Sequence, residues 1–316
     1  MTLTQERTYK PKKKRKLTPG QVVFIICMCT WPLCIWILFT IICSIDGWIA
    51  AFQRWSPMKR QYVWVGWDNF ELVLNGIFKD TAIDWKNAIL NSIYLFLFNN
   101  FVMIPIGVFF GYLLYKKMPF ASVFRVIFYL PNIISPIVMT MAFKYMLNVS
   151  YGPIPKVLSF FGLPLPANGF FADPNWAFPI ILIYNLWAGL GYFVVMVTGA
   201  MNRIPKEVLE VGMLDGISIT REFWQVVVPL IMETIKVLFL SGVSIIFSYF
   251  LTPMLLTKGG PYDGISSTIA LKQQQYIDSG NINEASAWGI ITSIVAFPLT
   301  NGVRFLLDKL FPPIQY

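Results

Sequence analysis

Six membrane-spanning helices in an all-α membrane protein are the architecture this sequence predicts, and three observations carry it. The 316 residues are 56% hydrophobic and only 13% charged, with a mean hydropathy of +0.60. Soluble domains carry about 25% charged residues, so this chain has too few to cover a water-facing surface. Six stretches approach the ~20 apolar residues that cross a bilayer: about 21–45, 88–115, 121–146, 176–200, 234–256 and 285–307. No Asp, Glu, Lys or Arg stands near the centre of any of them, which disfavours a proton relay or voltage sensor.

Residues 1–20 read as a basic tail. Lys10, Lys12, Lys13, Lys14, Arg15 and Lys16 supply much of the net charge of +9. Such a run resembles a nucleic-acid or nuclear-targeting patch, but an apolar span begins just after it. There it acts as an orientation signal and a contact for anionic lipid, so no nucleic-acid partner is expected. The first span is too long for a cleaved signal segment. It also holds all four cysteines, Cys27, Cys29, Cys34 and Cys43, as small packing residues rather than as a zinc site or disulfide framework. The chain has no histidine, hence no histidine base or metal ligand.

Positive charge orients the bundle with both termini in the cytoplasm. Arg7, the six residues of the run, Lys116, Lys117, Arg125, Arg203, Lys206, Arg221, Lys236, Arg304 and Lys309 then lie inside, 16 of the 25 basic residues. The outer segments carry Trp48, Trp55, Trp64, Trp67, Trp85 and Trp176, an aromatic belt or a contact for an external partner. In the third span, Pro131 and Pro136 flank Asn132 and Ser135. That pattern fits either a break lining a polar cavity or a kinked packing helix.

The loop 203–230 between spans four and five predicts a helix–turn–helix. Pro205 suits a first turn, and Ile204, Val208 and Val211 share one helical face. Asp215-Gly216 marks the turn. Ser218 can cap the second helix, whose apolar stripe is Phe223, Val226, Val227 and Leu230.

Glu210, Asp215, Gly216, Phe223 and Pro229 fall at the spacings of the coupling loop, or EAA motif, of binding-protein-dependent ABC importers, which this stretch resembles. Val211 and Gly212 stand where that motif has two alanines, Ile217 replaces the third, and Val228 precedes the proline. Trp64-Val-Gly-Trp-Asp68-Asn-Phe70, Phe124-Arg…Leu130-Pro131 and Gly259-Gly260-Pro261…Ser266-Ser-Thr268 resemble segments of the carbohydrate-uptake branch, similar to maltose-type permeases.

The resemblance implies a type I ABC importer permease fold, and a pore-forming subunit that takes up a sugar or oligosaccharide handed over by an external solute-binding protein. A second permease and two ATPase subunits are implied partners. ATP and Mg would be bound by the ATPase, since this chain has no Gly-x-x-x-x-Gly-Lys-Ser/Thr cradle and no cofactor or metal of its own. The chain itself is then no enzyme, and it sits in a bacterial cell membrane. Glu210, Gly212, Asp215, Gly216, Phe223 and Pro229 are the implied ATPase-coupling residues. The stretch Asn185-Leu-Trp187-Ala-Gly189-Leu-Gly-Tyr192 resembles the family's sugar-lining span. Asn185, Gly189 and Tyr192 share one helical face and offer a carboxamide, room for approach and a ring with a hydroxyl. The same residues would also suit an interhelical hydrogen bond with a glycine contact. Ile245 and Tyr249 stand where maltose-type permeases place site residues. An ion-coupled sugar carrier, or an ABC permease for a non-sugar solute, are the competing expectations.

Overall fold

The computed structural model describes residues 18–78, 83–260 and 264–312. The basic run 10–16, Lys79 and Pro261 lie outside these residues. The chain divides into two units, residues 1–50 and 51–316.

The described part of the first unit is one helix, α1, which runs over Pro19–Ala51. Pro19 occupies the first turn, where its missing N–H costs nothing. The Thr18 backbone N–H donates to the Gln21 side chain at 3.0 Å. Apolar side chains ring the helix, and none in Pro19–Trp36 is buried. A helix apolar on all sides is suited to hydrocarbon rather than water.

The second unit opens with an antiparallel ribbon, β1 (Gln53–Ser56) and β2 (Gln61–Trp64), in which Trp55 faces Tyr62. This ribbon is the exception to the all-α expectation. Its strands are short, and buried Asn69 at the start of α2 (Asp68–Phe78) holds them. Asn69 donates to Ala51 O and Gln53 O and accepts from Arg54 at 2.8 Å, so every polar atom of its carboxamide is used. Phe52 stacks on Trp64.

The remaining elements are α3 (Trp85–Tyr115), α4 (Ala121–Ile133), α5 (Pro136–Met146), α6 (Pro153–Phe160), α7 (Ala177–Met201), α8 (Lys206–Leu214), α9 (Ile219–Leu230), α10 (Met232–Ser248), α11 (Leu251–Leu256), α12 (Ile269–Asp278) and α13 (Ile282–Leu310). Among the described residues, four helices (α1, α3, α7 and α13) are long and apolar enough to cross a membrane, and the number rises to six if each sharply bent pair counts as one span.

Two predicted spans are not continuous helices. The third breaks by 104° between α4 and α5, where Pro136 forbids α-helical geometry at Ser135. The fifth ends at Ser248, and after Tyr249 and Phe250 the chain resumes as α11. The sharp bend detected beside α10 is instead the 68° turn from α9.

Close backbone approach organises the bundle. A Cβ on Gly107 would stand 2.6 Å from Phe193 Cβ, and one on Gly111 would stand 3.0 Å from Val197, so α3 and α7 pack through a Gly-x-x-x-Gly face. A Cβ on Gly191 would fall 2.0 Å from Phe128 O, which places α4 directly on α7. Asn132 secures that contact by donating to Ala188 O at 2.9 Å, so it serves packing here. One cluster centred on Met103, Val194, Val197, Met201, Val227 and Leu238 joins α3, α7, α9 and α10. Two others, around Trp85 and Trp288 and around Phe143 and Tyr184, fill the opposite half.

Candidate functional site: a docked loop and an intramembrane polar face

The loop 203–230 folds as two helices. α8 ends in a left-handed residue, Gly216 (φ 67°), and Ile217 N–H returns to Gly212 O at 3.2 Å. This six-to-one closure satisfies an orphan carbonyl of the last turn. The Ile217 side chain lies over Gly212, where a Cβ would approach it to 2.7 Å. Gly212 therefore supplies the smallness expected of the motif's alanines. Ser218 caps α9, accepting from Arg221 N–H at 3.4 Å.

The apolar stripes differ from expectation in one respect. Ile204 and Leu209 are buried, but Val211 points outward because α8 rolls Leu209 into the core instead. On α9, Phe223, Val226, Val227 and Leu230 all join one cluster, as their spacing predicts.

A charged anchor, absent from the sequence expectation, fixes α9 to the end of α3. Glu222 is buried, and both its carboxylate oxygens are engaged: Lys116 Nζ lies 2.6 Å from Oε1 and 2.8 Å from Oε2. The Tyr112 hydroxyl also donates to Oε1 at 3.3 Å, and the Tyr112 ring packs on Phe223 with centroids 4.8 Å apart. A carboxylate in the first turn of a helix is further favoured by the positive end of the helix dipole. Lys116 follows a long apolar helix and Glu222 sits inside a helical stripe, so no local pattern paired them.

What the loop leaves outside is apolar. Leu214 is 87% exposed, Ile219 70%, Trp224 65% and Val211 57%. Glu210 and Asp215 are exposed beside them, and Pro229 is half-buried behind. The loop is rigidly mounted yet offers large hydrophobic side chains, which mark a surface built to be covered.

The second group lies within the bundle. Asn185, Gly189 and Tyr192 do share a face of α7, but in different surroundings. Asn185 Nδ2 is buried with no hydrogen-bond partner among the described residues. Gly189 is packed, since a Cβ there would meet Met103 Cε at 3.1 Å and Asn185 Oδ1 at 3.3 Å. Tyr192 is 47% exposed. Ile245 is half-buried one turn before the end of α10, and Tyr249 falls in the break after it, its hydroxyl buried with no hydrogen-bond partner of good geometry among the described residues. Tyr249 packs in the cluster of Phe143 and Tyr184.

Sequence reasoning passed over Asn99 and Asn100. Both are buried in a π-helical turn in the middle of α3, a geometry often found at functional sites. The Asn100 carboxamide lies against Gly242 of α10, and its Oδ1 has no partner among the described residues. Two adjacent asparagines inside an apolar span were the available signal. No cluster of His, Cys, Asp or Glu suited to a metal occurs among the described residues.

Residues 103–312 match the family described as binding-protein-dependent transport system inner membrane component. The maltose/maltodextrin transport system permease protein MalF of Shigella flexneri is 28% identical over 220 residues, which is 67% of this chain and 41% of that protein. MalF of Klebsiella aerogenes is 29% identical over 221 residues, with the same coverage. The chain thus spans less than half the length of these relatives. A chain from the crystal structure of a bacterial ABC transporter involved in import of the acidic polysaccharide alginate superposes with a TM-score of 0.76. That match is 22% identical and covers 90% of this chain and 96% of the other. A second structure, of the alginate ABC transporter with a pentasaccharide-bound periplasmic protein, also gives 0.76 at 21% identity. These two likenesses establish the fold. The matched region contains both the docked loop and the polar face, and the chain belongs to the family of binding-protein-dependent transport system inner membrane components.

Proposed function

We propose that this chain is one of two pore-forming permease subunits of an ATP-driven sugar importer. An external solute-binding protein delivers an oligosaccharide, and two separate ATPase subunits supply the energy. The observation that carries this reading is the 203–230 loop: bolted to α3 through Glu222, it exposes Val211, Leu214, Ile219 and Trp224. An apolar helical ridge of this kind fits a groove on a partner. Because the ridge is fixed to a span, a push on it moves the bundle, which is the requirement for switching between outward- and inward-open states.

In this reading both termini lie in the cytoplasm, the basic run 10–16 contacts anionic lipid, and Glu210, Gly212, Asp215, Gly216, Phe223 and Pro229 shape the coupling element. Sugar passes the face formed by Asn185, Tyr192, Ile245 and Tyr249. The unpartnered Asn185 Nδ2 and Tyr249 hydroxyl support this, because a buried polar group without a partner costs about 1–3 kcal/mol. A sugar hydroxyl would relieve that cost. Gly189 acts through packing, holding α7 against Met103.

The test is copurification and uptake. Leu214→Asp with Trp224→Asp should abolish copurification with the ATPase and stop uptake while membrane insertion persists. Uptake that continues without any ATPase would sink the proposal and favour an ion-coupled carrier. Asn185→Ala should lower transport without loss of assembly; loss of assembly would instead assign Asn185 to packing.

A further inference from the structure

The sharp corner between α9 and α10 leads to a buried cation that the transport reading leaves unused. The chain turns by 68° there, and Ile231 at the corner is buried. In the next turn of α10, Lys236 is only 5% exposed. Lysine is rarely buried without partners, because its ammonium must give up water. Here three acceptors stand around its three donors. The ammonium lies 2.7 Å from Glu233 Oε1 on its own helix. It lies 3.1 Å from Asp308 Oδ1 in the last turn of α13, and it donates at 3.0 Å to the carbonyl of Phe311, which follows that helix. Arg304 adds a longer contact to the second oxygen of Asp308 at 3.8 Å. A cation at a helix C-terminus is also favoured by the helix dipole.

The last helix has little else to hold that end. Its buried residues, Ala285, Ala287 and Trp288, all lie in its first two turns, where Trp288 packs on Trp85 of α3. From residue 289 onward no side chain of the helix is buried, and Ile294, Phe297, Phe305 and Leu310 are each at least two-thirds exposed. The helix is thus gripped at one end by aromatic packing and at the other by Lys236. The second grip falls beside the corner at which the 203–230 loop enters α10.

We propose that Lys236 is a positioning residue for energy coupling: it makes α13 follow the corner that a push on the 203–230 loop displaces. Glu222 passes that push to α3, and Lys236 passes it to the last span. A single hydrogen bond would let the helix end swing, whereas acceptors on two helices fix the ammonium between them. The inference rests on the importer reading above.

The assembled importer would carry spin labels at Glu207→Cys on α8 and Phe305→Cys on α13, both exposed positions. Cys27, Cys29, Cys34 and Cys43 would be replaced by alanine. The distance between the labels would be read without nucleotide and with ATP and vanadate. The parent should give one narrow distance, the same in both states. Lys236→Met keeps a stem of similar length, and Glu233 and Asp308, both more than half exposed, regain water. This variant should insert and hold its ATPase, but lose the narrow distance without nucleotide and shift it with vanadate. Asp308→Asn, which leaves Lys236 paired with Glu233, should act in the same direction to a smaller extent, and it decides the matter if Lys236→Met fails to insert. Lys236→Glu combined with Asp308→Lys should restore the narrow distance, which loss of packing alone would not allow. The proposal is overturned if the parent distance changes between the two states, or if the single variants match the parent in both. Failure of any ATPase to copurify would instead sink the importer reading, and the distances without nucleotide would still show whether Lys236 holds α13.

Discussion

The two connections at opposite ends of the second unit are held in opposite ways. The 203–230 loop is fastened by one charged junction, Glu222 with Lys116 and Tyr112, and turns apolar side chains outward. The 257–268 connection is fastened by many neutral bonds from Asn91, Ser92, Thr268 and Gln275, and turns polar groups toward a cleft. One strong joint moves a loop as a body with the helix it grips. The neutral bonds hold the described residues of the second connection at several points, three of them reaching it from Asn91 and Ser92 of α3. The first design suits transmission of a push, and the second holds the shape of its connection.

Four substitutions break or sharpen this contrast. Glu222→Ala removes the whole charged junction and should cost about 2 kcal/mol, below the roughly 3–5 of a fully buried pair because water reaches Lys116. A lowered melting midpoint together with loss of ATPase copurification is expected; unchanged coupling would show that the junction is not the lever. Asn91→Ala strips the donor from two carbonyls and should cost about 1–2 kcal/mol. It should lower the melting midpoint while leaving ATPase association intact, and loss of that association would erase the distinction between the two ends. Gly212→Ala meets only the flexible tip of Ile217, so about 1 kcal/mol or less is expected, read from the melting midpoint. Trp224→Ala should change stability by no more than about 0.5 kcal/mol, since the ring is mostly exposed, yet it should abolish ATPase copurification.

Legibility in the sequence differed between the two ends. The helix–turn–helix, its Gly216 turn, the Ser218 cap and the α9 stripe are short-range features, and each follows from residues within one or two turns of one another. Val211 misled because two apolar faces compete on α8, and only packing against α3 and α7 chose Leu209. That Asn185 and Tyr192 share a face of α7 was legible from their spacing. Gly189's close approach to Met103 was not, because residues 86 positions apart share no local pattern. The Pro131–Pro136 pattern already offered a break in the third span, whereas the one at Tyr249 fell inside a stretch apolar enough to read as unbroken. Hydropathy counts transfer free energy and is blind to direction. The ribbon after α1 escaped for a related reason: four-residue strands carry too few alternations to register, and their hold on Asn69 is a contact across the fold.

By itself the sequence determined that the chain belongs in a membrane, where its apolar stretches lie, and where the helix–turn–helix of 203–230 falls. These depend on composition and near-neighbour spacing, which the bilayer's thickness and the helix repeat convert directly into structure. Tertiary structure alone decided which charges pair, which asparagine atoms stay unpartnered, and that Asn91 would brace Ser267 from 176 positions away. Those outcomes come from close packing, where a few tenths of an ångström at a glycine settle which side chains meet.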